Sequence, residues 1–194
     1  MRSLPLSLLA AALVSTTANA GAATCPVANS VSHDVCETAQ PLGIDPSNLT
    51  VEGNTQFATN TYDVGHDNDC TGARSAGPDV IYRIDMSPGC IMTATLDLCD
   101  LADWWDQSLY FVTDCQDLLG NCRGSKDRPC ENFKCVPEIA VFENVTPQMQ
   151  TVYLVVDGKT PSAGGAFSLT VRSECVVPVE ATTWGAIKAS YGTD

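Results

Sequence analysis

Alternation of apolar and polar residues is the dominant pattern along this chain. Asp79 to Met86 reads DVIYRIDM and puts Val80, Tyr82 and Ile84 on one face. Ile91 to Leu98 does the same with Met92, Ala94, Leu96 and Leu98, Thr151 to Asp157 with Val152, Leu154 and Val156, and Ala166 to Arg172 with Phe167, Leu169 and Val171. Side chains on a strand alternate between faces, so this period of two predicts strands with one face buried. Leu49 to Glu52, Thr55 to Tyr62, Ser108 to Thr113 and Glu138 to Val145 add four further segments of strand character. Turn residues separate them: Gly53-Asn54, Ser87-Pro88-Gly89, and the Gly/Ser/Pro stretch from Gly158 to Gly165. No amphipathic helix of about twelve residues intervenes, and a parallel α/β sheet needs such crossovers. The expected fold is therefore all-β: an antiparallel β-sandwich, jelly-roll-like or Ig-like, of about eight strands. Thr182 to Tyr191 departs from the pattern. Trp184, Ile187 and Tyr191 would share one face of a short C-terminal helix, read either as packing on the sandwich or as a sorting or docking peptide.

The first twenty residues are read as an address rather than as structure. Arg2 precedes an apolar run from Leu4 to Val14, and Ala18-Asn19-Ala20 fits a small-x-small cleavage site. The run is about half of what a membrane-spanning helix needs. A signal peptide over 1–20 and export are expected, with no membrane span. The remaining organisation is an extended lead-in over 21–35, one sandwich domain over 36–177 and a tail over 178–194.

Ten cysteines occur: Cys25, Cys36, Cys70, Cys90, Cys99, Cys115, Cys122, Cys130, Cys135 and Cys175. An even number in an exported chain reads as five disulfides, and the spacings lack the paired C-x2-C hooks of a zinc site. Connectivity is open. The expectation is that the cluster from Cys115 to Cys135 pairs mostly within itself, and that Cys25 and Cys175 are placed to staple the ends. Asp and Glu outnumber Lys and Arg by 23 to 10, a formal net charge of −13, which excludes nucleic acid and anionic membrane as partners held by bulk attraction.

Few residues offer chemistry. There are two histidines, His33 and His66, and no H-E-x-x-H, P-loop or G-x-S-x-G motif. The chain is expected not to be an enzyme. Two acidic loops have the hard oxygens that calcium takes, without EF-hand spacing. Asp63, Asp67 and Asp69, with Asn68 and Asp79, form one; Asp100, Asp103 and Asp106 form the other. The metal set expected for a possible Ca2+ is Asp63, Asp67, Asp69 and Asp100. Trp104-Trp105 sits inside the second loop. Aromatic faces at a loop tip suit sugars or protein partners, so Trp104, Trp105, Asp103 and Asp106 are the expected ligand-binding residues. The competing reading buries one Trp at the core end and lays the other on a disulfide.

Motif order carries a family resemblance. Cys36-Glu37-Thr38-Ala39-Gln40-Pro41-Leu42 comes first, then Thr55 to Tyr62 after its Gly-Asn turn, then Asp79-Val80-Ile81-Tyr82. Asp106-Gln107-Ser108-Leu109-Tyr110 follows, then Tyr153 to Gly158, then Gly165-Ala166-Phe167-Ser168-Leu169-Thr170-Val171. From Cys36 to Cys175 the chain resembles the bacterial pre-peptidase C-terminal domain in a cysteine-rich form. That resemblance implies a jelly-roll-like β-sandwich serving as a non-catalytic accessory module of exported proteins. Some members bind extracellular polymers, with calcium stiffening the module. The function expected is a secreted binding or accessory module for an extracellular polysaccharide, matrix protein or surface ligand. A structural or adhesive subunit of an extracellular assembly is the alternative, and a hydrolase acting through the acidic loops comes third.

Overall fold

The structure is a computed structural model and describes residues 33–64, 70–99, 105–124, 130 and 135–175. The expected signal peptide, Cys25, His66 and the expected C-terminal helix lie outside these residues. After a single 3-10 turn at Cys36–Thr38 come β1 (Gln40–Ile44), β2 (Leu49–Asn54), β3 (Val80–Met86), β4 (Cys90–Leu98) and β5 (Gln107–Val112). A one-turn helix α1 (Leu118–Asn121), β6 (Cys122–Arg123), β7 (Glu138–Glu143), β8 (Gln150–Gly158) and β9 (Ala166–Cys175) complete the series. One sheet has the order β1-β3-β8-β5-β6 and the other β2-β9-β4-β7. The fold is the expected disulfide-bonded all-β sandwich.

The alternation becomes the core. Val80, Tyr82, Ile84 and Met86 on β3, Val152, Leu154 and Val156 on β8, and Leu109 and Phe111 on β5 face inward from the first sheet. Met92, Ala94 and Leu96 on β4 and Phe167, Leu169 and Val171 on β9 meet them from the second. Burying each such side chain contributes roughly 1.5–3 kcal/mol. The outer face of the first sheet is also covered. Val64, Cys70, Ile81, Tyr110, Val112, Cys122 and Val155 form a second core, with Tyr62, Leu118 and Tyr153 packed against it. All six residues of β5 are buried for that reason.

Three expectations are corrected. Thr55 to Tyr62 is not a strand: the backbone N–H groups of Thr61 and Tyr62 donate to the Asp79 carboxylate at 2.9 and 2.8 Å, so a side chain takes donors that a ladder would have used. β1 was not expected, and it pairs with β3 in parallel, an exception to the antiparallel scheme. Pro41 is tolerated there because β1 is an edge strand, and the register slips between Pro41 and Gly43, whose φ is +99°. The cysteine cluster does not pair mostly within itself. Cys130–Cys135 is its one internal bridge, while Cys36–Cys115 and Cys70–Cys122 tie the cluster to the segments that cover the first sheet. Cys175 bonds to Cys90 across the β4–β9 ladder rather than to Cys25. Cys99 is also disulfide-bonded, and no described cysteine is free.

Candidate functional site

The segment leading into β5 carries the residues expected to bind ligand. Trp105 is a core residue, 4% exposed, rather than a surface platform. Its ring packs closely against Gly165: a Cβ added there would sit 2.7 Å from Trp105 Cδ1 and Nε1. The Cys130–Cys135 bridge closes over the Trp105 carbonyl, with sulfurs 3.8 and 3.6 Å away. Asp106 is pinned by Lys159, whose Nζ lies 2.8 Å from Oδ2 and whose backbone N–H donates to the Asp106 carbonyl. Trp104, Asp103 and Asp100 lie outside the described residues, as do Asp67 and Asp69. Asp63 is half-exposed and pairs with Arg74 at 3.5 Å. Among the described residues, one His/Cys/Asp/Glu group has metal-ligand spacing: Asp45, Cys90 and Cys175. Its two sulfurs form a disulfide, so it offers a cation a single carboxylate.

Carboxylates do converge, but inside the protein. Asp157, at the end of β8, accepts hydrogen bonds from Gly77 N, Gly158 N and the Tyr110 hydroxyl. Beside it Ser75 Oγ donates to Ser108 Oγ at 2.7 Å. Asp79, just before β3, holds Thr61 and Tyr62, and its Oδ1 has no protein partner. Both carboxyls are fully buried. Burial pushes Asp79 up to about 7, against its two backbone hydrogen bonds and with added repulsion from Asp34. Asp157 is raised well above the carboxylate range, chiefly by burial and then by the Asp79 charge. A carboxyl tuned to neutral pH suits a general acid, but these two are buried, and they fasten Thr61, Tyr62 and Gly77 to the first sheet.

The pH dependence has a definite sign. A raised Asp79 holds its proton more tightly folded than unfolded, so unfolding releases it between about pH 4 and about pH 7. Stability is therefore greatest below about pH 4, falls as pH rises from about 4 to about 7, and is level above that. Allowing for relaxation around the charge, the expected loss is roughly 2 kcal/mol. Half-buried His33 is lowered by desolvation and contributes with the opposite sign, so a difference is measured. Asp79→Asn should come closest to the parent below about pH 4 and exceed it by a margin that widens up to about pH 7 in denaturant titrations. Parallel pH profiles for the two proteins would refute this. Calcium is the control: proton uptake predicts that it leaves the slope unchanged.

An open groove of about 480 Å³ lies elsewhere, between the edge strands β6 and β7 of the two sheets. Thr113, Arg123, Val141, Glu143, Thr146 and Gln150 line it. Arg123 is fixed at its rim by donating from Nη1 to the carbonyls of Gly120 and Cys122. Asn144 shapes the far wall: its Nδ2 donates to the carbonyls of Met86 and Gln148, while Oδ1 accepts from Thr146 N and Oγ1. Sequence reasoning missed this groove. Its residues come from three separate segments, and the one motif among them, the sequon Asn144-Val145-Thr146, marks no ligand site.

Fold and site together define an acidic, disulfide-bonded β-sandwich with an open groove at the paired sheet edges. No protein-family model matches the chain, and no curated protein matches it. Among solved structures it is similar to the pre-peptidase C-terminal domain of collagenase from Bacillus anthracis, at 17% identity and a TM-score of 0.38. The match covers 69% of this chain and 93% of that one. That domain is of the family whose motif order the sequence resembles.

Proposed function

We propose that the protein is a non-catalytic, secreted binding or accessory module that holds an extracellular polysaccharide or matrix protein in the groove between β6 and β7. The groove carries this reading. Its volume is in the range of ligand sites, and it mixes an apolar wall at Val141 with a cation, a carboxylate and neutral hydrogen-bonding groups. Such a lining suits hydroxyl-rich or peptide polymers. The confinement of Asp79 and Asp157 to the interior supports a binding role over an acid–base one.

An array of polysaccharides and matrix proteins tests the proposal. Arg123→Ala with Gln150→Ala should weaken retention of the bound polymer about tenfold or more, equivalent to about 1.4 kcal/mol. The melting temperature should stay nearly unchanged, because the lost groups lie at the surface. Retention that is indifferent to both substitutions would remove the groove from consideration.

A further inference from the structure

The outer face of the second sheet is polar except at one edge. Along β9 it presents Ser168, Thr170, Arg172 and Glu174, and along β4 Thr93, Thr95 and Asp97. Beside them stand Ile91 on β4 and Ile139 and Val141 on β7, exposed by 37%, 38% and 48%. The register makes the three contiguous: Ile91 is opposite Glu143, Thr93 opposite Val141, and Thr95 opposite Ile139. Among the described residues β7 pairs only with β4, so this apolar patch lies on the sheet's open side. A patch of that kind marks a contact surface.

We propose that residues 176–194 of this chain cover the patch, laying Trp184, Ile187 and Tyr191 on Ile91, Val141 and Ile139. Where β9 ends argues for this occupant. Cys175 is fixed by its disulfide to Cys90, the residue that begins β4 and precedes Ile91. Strands lie about 4.8 Å apart and rise about 3.4 Å per residue, so Ile139 is roughly 20 Å from Cys175. The nine residues from Cys175 to Trp184 span up to about 30 Å, which reaches the whole patch with slack. Lys188, next to Ile187, is the one cation after Cys175, where Glu180 and Asp194 are the acids, and Glu143 and Glu174 at the patch's border are the partners it would meet. A second copy is the rival occupant, and a net charge of −13 on each chain opposes it. The tail would share Val141 and Glu143 with the groove's rim, so Ile139, which lies outside the groove, is the position that tests the tail alone.

The test uses the full chain. Subtracting the fluorescence of Trp184→Phe from that of the parent isolates Trp184. Its emission should be that of a buried indole, shielded from acrylamide and independent of protein concentration. Ile139→Asp should shift it to the red and open it to the quencher. Trp184→Asp, which alters no described residue, should make the protein bind a hydrophobic dye, and adding Ile139→Asp should abolish that binding. Water-like Trp184 emission in the parent would overturn the proposal, as would emission unmoved by Ile139→Asp or no gain in dye binding. Shielding that appears only as the protein dimerises on concentration would overturn it in favour of a second copy.

Discussion

Replacing Trp105 with alanine is expected to destabilise the fold by about 3–5 kcal/mol, the cost of emptying a large aromatic site in a packed core. The site cannot collapse easily. Gly165 is held on one side by reciprocal hydrogen bonding: its N–H donates to Thr55 Oγ1, and its carbonyl accepts from Thr55 N. The Cys130–Cys135 bridge holds the backbone above. Trp105→Phe separates volume from polarity. The indole Nε1 is buried without a hydrogen-bond partner among the described residues, so phenylalanine should cost only about 1–2 kcal/mol, the effect of a smaller ring. Guanidinium titration of both variants gives the comparison. A loss under about 1 kcal/mol for Trp105→Ala would contradict the core placement.

What the sequence disclosed depends on how each strand is buried. β4 and β9 read clearly because one face packs and the other is polar, which leaves a period of two in the residues. β5 reads less clearly: Ser108-Leu109-Tyr110-Phe111-Val112 is covered on both faces, so the alternation disappears and only a short apolar run remains. β1 was invisible for the opposite reason. Gln40-Pro41-Leu42-Gly43-Ile44 is an exposed edge containing a proline and a left-handed glycine, and neither residue advertises a strand. Thr55 to Tyr62 misled because weak alternation looks the same whether the backbone bonds to a neighbouring strand or to Asp79.

The same limit governs the site. Trp104-Trp105 and the aspartates around it stand out as composition, but position in the sandwich decides what they do, and it puts Trp105 inside. Asp157 gave no signal at the end of Val152 to Val156, although it sits on the face that Tyr62, Val64 and Cys70 cover. That covering, tied down by Cys70–Cys122, turns two ordinary-looking aspartates into buried acids with raised pKa values. Pairings 79 and 52 residues apart follow from strand order, not from local spacing. A groove assembled from Arg123, Val141 and Gln150 is likewise a product of topology.

Loop length makes the disulfides unequal, and the inequality is measurable. Cys90–Cys175 closes 85 residues and Cys130–Cys135 closes 5. In the chain-entropy picture a cross-link restricts the unfolded chain more as its loop lengthens, which gives about 4–5 kcal/mol for the first bridge and about 2 kcal/mol for the second. Packing widens the gap, since Cys90 is fully buried in the core while Cys130 and Cys135 are only half-buried. The double variant Cys90→Ala with Cys175→Ala should therefore lose at least twice the stability lost by Cys130→Ala with Cys135→Ala. The β4–β9 ladder should still form in the first variant, because eight further register pairs from Ile91↔Glu174 to Leu98↔Phe167 hold it. Its native far-ultraviolet spectrum with a lowered denaturation midpoint is the expected result. Intact-mass measurement after alkylation without reduction should show no free thiol among the described cysteines of the parent. Equal losses in the two variants, or a larger loss from the five-residue bridge, would show that local packing rather than chain entropy sets what these cross-links contribute.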